Sequence, residues 1–255
     1  MKIASWNVNS MKVRAPQVLA WLEEHAPDVL VLQEIKQVTE AFPADEVAAA
    51  GYESLANGQK TYNGVATLSR SPIGDPVTGI PGLDDPQRRV LAATVAGIRI
   101  VNLYVPNGQA VGSDKYDYKL GWLAALRDWL ADELDRHPNL VVLGDFNIAP
   151  ADEDVYDPEK WGDAILCSPA ERAALGELIG LGLTDVFRKF DQPEKSFSWW
   201  DYRAAGFRRD AGLRIDLILT SPAMTDACTA SYIDREPRGW ERPSDHAPVV
   251  AEFDV

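Results

Sequence analysis

The segment Val141-Val142-Leu143-Gly144-Asp145-Phe146-Asn147 combines a short apolar run with an abrupt polar end. Short β-branched runs bounded by turn residues are typical of buried strands. Three further runs end in the same way: residues 3–6 run into Asn7, residues 29–32 into Gln33-Glu34, and residues 213–215 into Asp216. The sequence therefore predicts several strands that each end in a side chain able to bind a metal or move a proton.

A fifth polar element, Ser244-Asp245-His246, comes just before another apolar run at residues 247–253. Because the strands of one sheet can bring their ends to a common edge, residues far apart in the sequence can meet there. The five elements together predict one rim that carries carboxylates, Asn amides and an imidazole. For any single run, the alternative is that the polar residue merely closes its strand.

The length and composition predict one independent domain. A chain of 255 residues can bury about 70 to 75 % of its unfolded surface, so we expect a single domain over residues 1–255. Only Cys167 and Cys228 are present, without a metal-binding spacing, which suits a reducing cytoplasm. The first residues lead straight into a strand, and no apolar run reaches ~18 residues, so we expect neither secretion nor membrane insertion.

The charge balance argues against a broad nucleic-acid surface. The chain has 25 basic and 39 acidic residues, a net charge of −14, and a polyanion is normally bound by clustered cations. Residues 201–214 are a local exception, with basic side chains close to aromatic ones: Arg203, Arg208, Arg209 and Arg214 beside Trp199, Trp200, Tyr202 and Phe207. Such a segment could hold phosphates and stack on bases, or it could be a solvated surface loop.

Strand and helix patterns alternate along the chain and favour an α/β fold. Apolar spacing and capping residues predict helices at 13–25, 114–137 and from Ser168 to about Gly180. Further strands are predicted at 64–69, 89–95 and 98–105, and surface connections at 71–86, 106–113 and 150–161. Tyr104 would then lie at a strand exit close to the polar rim.

Side-chain alternation assigns directions at this rim. In an extended segment Asp145 and Asn147 would point to one side and Phe146 into the core. The same alternation would send Asp245 and His246 to opposite sides, so Asp216 is the better candidate to orient His246. An imidazole held by a carboxylate is biased toward its protonated form, and that cation could stabilise charge developing on a phosphoryl oxygen.

The donor types at the rim favour a hard cation. Glu34, with a neighbouring Asn oxygen and water, suits Mg²⁺, which keeps most of its hydration. Zinc is disfavoured, because only one of the three histidines lies near the rim and the chain has no usable cysteine pair. Since no Ser-His or Cys-His nucleophile pattern is present at the rim, water should be the attacking group, and Asp145 is our candidate to position and deprotonate it.

Six segments closely resemble the exonuclease III branch of the endonuclease/exonuclease/phosphatase superfamily, which includes the class II apurinic/apyrimidinic endonucleases. They are Trp6-Asn7-Val8-Asn9-Ser10, Leu32-Gln33-Glu34-Ile35-Lys36, Asn102-Leu103-Tyr104-Val105-Pro106-Asn107-Gly108, Gly144-Asp145-Phe146-Asn147, Leu213-Arg214-Ile215-Asp216 and Ser244-Asp245-His246-Ala247-Pro248. The resemblance implies a four-layer α/β sandwich, in which two mixed β-sheets pack face to face and are flanked by helices. It also implies a phosphodiesterase that depends on Mg²⁺ or Mn²⁺.

Carried over position by position, the resemblance implies a metal site and a catalytic group. Glu34 would bind the metal with help from Asn7 and Asp245. Asp145 and Asn147 would handle the attacking water and the phosphate. Asp216 would orient His246 against the scissile phosphate, and Tyr104 would contact that phosphate or assist the leaving oxygen.

The resemblance further implies contacts with the substrate outside the reacting phosphate. Asn107 would reach a nearby phosphate, and Trp199 would border the pocket for an extruded baseless sugar. Taking an abasic nucleotide out of the duplex costs less than flipping a normal base, itself only about a few kcal/mol. Arg203 and Arg209 are candidates for phosphate contacts in the same region.

The leading functional hypothesis is a monomeric DNA-repair nuclease acting in base excision repair. It would cut the phosphodiester 5′ to abasic sites in double-stranded DNA and remove nucleotides or blocking groups from 3′ ends. The rival is a phosphoesterase on inositol phosphates or sphingomyelin built on the same scaffold, which the acidic net charge favours. Tyr104 counts against that rival, because those enzymes resemble a pattern with a second histidine at this strand exit.

Overall fold

The computed structural model describes residues 1–255. Fourteen strands form the sheets: β1 (Lys2–Asn7), β2 (Val29–Gln33), β3 (Glu53–Asn57), β4 (Val65–Ser69), β5 (Ile73–Thr78), β6 (Val90–Val95), β7 (Ile98–Tyr104), β8 (Leu140–Asp145), β9 (Thr184–Asp185), β10 (Trp199–Trp200), β11 (Gly212–Leu213), β12 (Asp216–Thr220), β13 (Cys228–Ile233) and β14 (Val249–Phe253). Six α-helices connect them: α1 (Met11–His25), α2 (Ala44–Ala49), α3 (Asp114–Arg136), α4 (Pro158–Trp161), α5 (Pro169–Ile179) and α6 (Pro222–Ala227). No helix combines the length and apolar character that a membrane span needs.

Two six-stranded mixed sheets make up the centre of the molecule. The first has the strand order β13-β14-β1-β2-β4-β3 and the second β5-β6-β7-β8-β12-β9, while β10 and β11 form a separate ribbon. Each sheet contains one parallel pair joined by a long helix: α1 connects β1 to β2, and α3 connects β7 to β8. A parallel pair needs such a crossover, because its two strands run in the same direction.

Apolar side chains fill the spaces between four layers. The space between the sheets holds residues from both, among them Ile3, Val31, Val141 and Ile218. A second cluster joins the outer face of the second sheet to α3 and α5, and a third joins the first sheet to α1. The predicted four-layer α/β sandwich is therefore confirmed.

One polar contact crosses the apolar space between the sheets. Gln33, the last residue of β2, donates to the side-chain oxygen of Asn102 in β7 at 2.8 Å. The Asn102 amide in turn donates to the carbonyls of Leu32 and Ala66 in the first sheet, at 3.1 and 2.9 Å. Because a buried polar group is costly without a partner, these bonds fix one relative placement of the two sheets.

The strongly patterned elements were predicted correctly from the sequence. The helices near 13–25 and 114–137 and the one capped by Ser168 are confirmed, with bounds within two residues. The strands predicted from residues 3, 29, 64, 89, 98, 141 and 247 onward are confirmed as well. The Ser168 capping box forms as expected, with Glu171 bonding back to the Ser168 amide at 3.1 Å.

Three structural expectations were wrong. Asp216 does not end a strand at 213–215: it is the first residue of β12, which runs antiparallel to β8 and places Asp216 opposite Asp145. The connection 71–86 contains β5, an edge strand that tolerates Pro76. The connection 150–161 contains the single-turn helix α4, capped by Asp157.

We predict that Asn102→Leu lowers the free energy of unfolding by about 2 to 4 kcal/mol, because Gln33 and two carbonyls lose buried partners. Urea unfolding at neutral pH measures the change. Asn139→Leu is the matched control: Asn139 is exposed, so the change should stay within about 0.5 kcal/mol. Equal stabilities of the two variants would contradict the proposed role of the contact between the sheets.

Candidate active site

The predicted site residues meet at one edge of both sheets. Asn7 ends β1 and Glu34 follows β2, at the carboxyl ends of the parallel pair in the first sheet. Tyr104 ends β7 and Asp145 ends β8, at the corresponding ends in the second sheet. Because the two sheets pack face to face, these four strand ends line the two sides of one cleft.

Three potential metal ligands lie together in this cleft. The ligand atoms of Glu34, Asp145 and His246 are all within 4.8 Å of one another. The Asn7 amide nitrogen lies between the two carboxylates and donates to Glu34 Oε1 and to Asp145 Oδ2, each at 2.9 Å. The Asn7 oxygen accepts the Asn9 backbone N–H at 3.0 Å, so in this orientation Asn7 orients the carboxylates with its nitrogen.

His246 is held by Asp216, as the alternation argument expects. The ring nitrogen Nδ1 lies 2.9 Å from Asp216 Oδ2, and Nε2 lies 3.7 Å from Asp145 Oδ2. Burial alone would lower the pKa of His246, but the carboxylates of Asp216 and Asp145 outweigh it and raise this pKa to about 10. The imidazole is therefore a cation at neutral pH, with Nε2 facing the cleft.

Ser198 holds the Asp216 carboxylate in place. Its hydroxyl donates to Asp216 Oδ2 at 2.6 Å and accepts the backbone N–H groups of Ile215 and Asp216, each at 3.1 Å. Sequence reasoning missed Ser198, although it stands directly beside the aromatic pair that was singled out. A buried serine gives no pattern that distinguishes such a role from ordinary packing.

The Asp145 carboxyl group is fully buried and has an unusual proton affinity. Burial raises its pKa first of all, and the neighbouring Asp216 and Glu34 carboxylates add to this, whereas His246 and the Asn7 amide lower it; the resulting pKa is about 7. A carboxylate with a pKa near neutrality is a stronger base than an exposed one. Asp145 is thus suited to accept a proton at neutral pH.

Gly144 allows the close strand contact that positions Asp145. Its φ is +148°, and a Cβ at this position would lie 1.9 Å from the carbonyl oxygen of Leu103 on the neighbouring strand. Any larger residue would push β8 away from β7. The glycine therefore keeps the ends of these two strands, Tyr104 and Asp145, close together.

The segment after Asp145 is a turn, which corrects the expectation of an extended chain. Asn147 has φ +50°, and its backbone N–H donates to Asp145 Oδ1 at 2.8 Å. Asn and Asp favour such turns because their side chains bond to the nearby backbone. The Asn147 side chain accepts a bond from Asn107 at 3.1 Å and donates to the Val105 carbonyl at 3.0 Å, so the structure brings the two asparagines together. Phe146 is buried in the core, as expected.

Tyr104 lies half-buried at the cleft, close to the carboxylates. Burial, together with the charges of Glu34 and Asp145, holds its pKa well above that of a free phenol, so it keeps its proton and can donate a hydrogen bond. The Arg89 guanidinium stacks on the ring at 4.7 Å from the centroid and donates to the Tyr104 carbonyl at 3.2 Å. These contacts fix the ring at the cleft wall.

Asp245 lies beside the group of three ligands and is not one of them. Its carboxylate accepts bonds from Asn9 at 2.9 Å and from the Trp199 indole at 3.0 Å. Asn9 also accepts a bond from Lys36, whose ammonium pairs with Glu34 Oε2 at 2.8 Å. Asn9 and Lys36 belong to the quoted motif segments, but their spacing alone gave no reason to assign them a role.

The basic segment 201–214 divides into exposed and buried residues. Arg203 pairs with Asp201 and its side chain is 89 % exposed, and Arg208 and Arg209 are also exposed. Arg214 is different, because it is fully buried and pairs with Asp154 and Asp185 at 2.6 and 2.8 Å. Arg214 therefore stabilises the fold and cannot reach a substrate.

Two cavities flank the cleft, and most of the charged residues on their walls are cationic. One, of about 390 Å³, has Trp199 on its wall together with Lys160, Arg203, Arg209 and Asp201. The other, of about 570 Å³, borders Tyr104 and has Arg89 and Lys115 but no carboxylate on its wall. The molecule as a whole has a net charge of −14, but the two surfaces beside the site carry more basic than acidic residues. These surfaces suit an anionic ligand.

The donor set fits a hard divalent cation. Two carboxylates and one imidazole meet, and the Lys36 ammonium already lies against Glu34 as a positive neighbour. Oxygen-rich groups of this kind suit Mg²⁺ or Mn²⁺ better than zinc, which prefers nitrogen and sulfur donors. Glu34, with Asp145 beside it, is the residue best placed to hold the ion.

Comparison with known proteins gives relatives along almost the whole chain. The model of the endonuclease/exonuclease/phosphatase family matches residues 4–246. Exodeoxyribonuclease III of Haemophilus influenzae is 36 % identical over 99 % of this chain and 100 % of its own length.

Solved structures are similar over their full lengths. A variant of the 3′ phosphatase NExo from Neisseria, bound to a product DNA hairpin, is 54 % identical with a TM-score of 0.98, and 100 % of each chain is covered. An AP endonuclease from Archaeoglobus fulgidus is 38 % identical with a TM-score of 0.96, again over 100 % of each chain. The chain therefore belongs to the endonuclease/exonuclease/phosphatase family, in the branch of exodeoxyribonuclease III and the AP endonucleases.

Proposed function

We propose that this protein is a metal-dependent DNA-repair nuclease that hydrolyses phosphodiester bonds. The observation that carries this proposal is the convergence of Glu34, Asp145 and His246 within 4.8 Å in a cleft between two cavities whose charged wall residues are mostly cationic. Relatives named as exodeoxyribonuclease III and AP endonuclease, and a related structure bound to a DNA hairpin, support DNA as the substrate.

In the proposed reaction, Asp145 takes a proton from water and the water oxygen attacks the phosphorus. His246, kept cationic by Asp216, stabilises the negative charge that develops on a phosphoryl oxygen. The bond from phosphorus to the 3′ oxygen breaks, and this oxygen takes up a proton from solvent water, leaving a 3′-hydroxyl and a 5′-phosphate. Tyr104, which keeps its proton, donates a hydrogen bond to the phosphate or the leaving oxygen.

The metal completes the charge balance of the site. We assign it to Glu34 with Asn7 and Asp245 nearby, and we propose Mg²⁺ or Mn²⁺ as the ion. When bound, such a cation would polarise a phosphoryl oxygen and steady the leaving group. Asn147 and Asn107, which bond to each other at 3.1 Å, would contact the attacked phosphate and a neighbouring one.

Two kinds of DNA lesion fit the site. We propose that the enzyme cuts 5′ to abasic sites and also removes nucleotides or blocking groups from 3′ ends. The cavity beside Trp199 has the size and the apolar wall to take a baseless sugar, and an abasic nucleotide is cheap to extrude. The relative named as a 3′ phosphatase supports the second activity.

The phosphoesterase alternative has no structural feature in its favour. Its main support was the acidic net charge of the molecule, but the cavity next to Tyr104 has no carboxylate on its wall. Tyr104 also stands at the strand exit where the rival pattern has a second histidine.

We further propose that the chain acts as a monomer and forms one catalytic domain over residues 1–255. We place it in the cytoplasm, where its free cysteines Cys167 and Cys228 would stay reduced.

We predict that the purified protein nicks a duplex with one abasic analogue in Mg²⁺ and leaves it intact with a chelator. It should also trim a 3′-phosphate from a recessed end, and leave an inositol phosphate and a choline phospholipid unchanged. Gel analysis of labelled duplexes and phosphate release measure these reactions. Cleavage of the small substrates with intact DNA would reject the proposed function.

Removal of the base or the metal ligand should abolish most of this activity. Asp145→Asn is expected to lower the nicking rate by about 10²- to 10⁴-fold, the usual contribution of a general base, and Glu34→Ala should cause a loss of similar size. Asp135→Asn, an exposed position on α3, is the matched control and should act like the wild type. A fast Asp145→Asn enzyme would remove Asp145 from the proton transfer.

A pH profile tests the pair of Asp216 and His246. The carboxylates raise the His246 pKa to about 10, so the cation is present at neutral pH and is lost only as the pH rises toward 10. Asp216→Asn removes one of those charges, so the alkaline limb of the rate profile should move to lower pH. An unchanged alkaline limb would show that His246 does not act as a cation held by Asp216.

The exposed arginines should account for part of the salt dependence of DNA binding. Each phosphate contact contributes a slope of about −0.9 in log K against log salt. We expect the double variant Arg203→Ala, Arg209→Ala to have a shallower slope by about one to two contacts. Arg136→Ala, at the far end of α3, should keep the wild-type slope; an equal slope in all three proteins would exclude these arginines from the interface.

A further inference from the structure

A lysine is fully buried underneath the proposed site, outside the group of residues that face the cleft. Lys119, on α3, has no exposed surface and forms an ion pair with the equally buried Glu171 on α5. Its ammonium also donates to the backbone carbonyl of Asn147 at 2.7 Å and to that of Asn107 at 3.2 Å. All three donors of the ammonium are therefore used.

The two carbonyls belong to the loops that leave β7 and β8. Asn107 comes three residues after Tyr104, and Asn147 two residues after Asp145. Lys119 is thus the point at which both loops are tied to the helices behind the second sheet. Removing it would leave the buried carbonyl of Asn147 and the partly buried one of Asn107 without this partner, and the loops would be free to move.

Asn147 connects Lys119 to Asp145 through hydrogen bonds. Every polar group of Asn147 is bonded: its carbonyl to Lys119, its side chain to Val105 and Asn107, and its N–H to Asp145 Oδ1 at 2.8 Å. A shift of the Asn147 backbone would therefore turn the Asp145 carboxylate.

The buried ion pair of Lys119 and Glu171 is not explained by its contribution to the free energy of folding. Taking two charges out of water costs several kcal/mol per ion, and well-packed neutral replacements of buried pairs are often as stable. Glu171 has other partners as well: Oε1 accepts the N–H group of Leu166 and Oε2 that of Ser168, each at 3.1 Å, and a neutral glutamine keeps one of these two acceptors. Burial lowers the pKa of Lys119 and the Glu171 charge opposes that shift, so Glu171 keeps the ammonium charged.

We propose that Lys119, held by Glu171, is a positioning residue for the hydrolysis: it joins the loops of Asn107 and Asn147 and thereby orients the Asp145 carboxylate. The inference rests on the proposed function. It assigns Lys119 no contact with the substrate. A misplacement of about 1 Å at a reacting group can cost about 10²-fold in rate, so a loop anchor can matter as much as a contact.

The test uses a neutral pair of nearly the same shape, Lys119→Met with Glu171→Gln. The glutamine side chain keeps an oxygen for the cap of α5, and no charge is stranded. In single-turnover cleavage at saturating DNA, we expect the rate constant to fall about 10- to 100-fold while the Kd for DNA changes less than about threefold. In the ¹⁵N-labelled protein, the side-chain amide signals of Asn147 should move.

A second buried ion pair on the same helix provides the matched control. Arg99 and Glu133 pair at 2.7 Å and are both buried, but Arg99 is the second residue of β7 and so lies at the opposite end of that strand from Tyr104. The variant Arg99→Met with Glu133→Gln makes the same chemical change. It should keep the single-turnover rate within about threefold and leave the Asn147 signals in place.

The outcomes separate this inference from the proposed function. If the wild-type protein cleaves DNA and the Lys119 pair variant is slowed less than tenfold, the positioning role is rejected. An equal loss of rate in both pair variants also rejects it, because the effect would then be a general one of buried charge. If the Lys119 pair variant does not fold, Lys119→Gln with Glu171→Gln replaces it, again without a stranded charge; one short amide cannot reach both carbonyls, so the same loss of rate is expected and a wild-type rate rejects the role.

Discussion

The face-to-face packing of the two sheets is the constraint on which the site depends. Asn7 and Glu34 come from the first sheet, and Tyr104 and Asp145 from the second. Neither sheet has a complete set, so the distance across the cleft is set by the apolar layer between them and by the bond from Gln33 to Asn102. If one sheet slid slightly over the other, Asp145 and Glu34 would move apart. The polar bond favours one alignment where an apolar layer alone would tolerate several.

The electrostatics of the cleft follow from this enforced closeness. Carboxylates that would repel each other are buried together, and the resulting repulsion and loss of water raise the Asp145 pKa to about 7. The same carboxylates turn His246 into a stable cation. One arrangement thus places a carboxyl group of raised pKa beside a cation, which is the combination that the proposed hydrolysis uses. The charged residues on the walls of the flanking cavities are mostly cationic, although the molecule as a whole is acidic.

The candidate site residues could be named from the sequence because each one follows or precedes a strongly patterned strand. Gly144-Asp145-Phe146-Asn147 and Ser244-Asp245-His246 stand out by composition, and their distance in sequence is no obstacle in a sheet. The exceptions are instructive. The residues 213–215 look like a strand by composition, but the pairing partner of β8 begins only at Asp216, since β12 runs antiparallel to it. Arg214 looks like a DNA contact beside Arg209, yet its side chain points inward to Asp154.

The sequence by itself determined the α/β class, the main helices and strands, the family, and the set of residues around Glu34, Asp145 and His246. These follow from hydrophobic periodicity and from local motifs, which are properties of neighbouring residues. Only the tertiary structure decided which atoms meet: the Ser198 bond to Asp216, the left-handed turn at Asn147, and the anchoring of two loops by Lys119. The Ser198 and Lys119 contacts join residues 12 to 28 positions apart, and the side chains involved are an ordinary buried serine and lysine. No local pattern marks them, because their roles come from the packing of layers that the chain reaches only after it has folded.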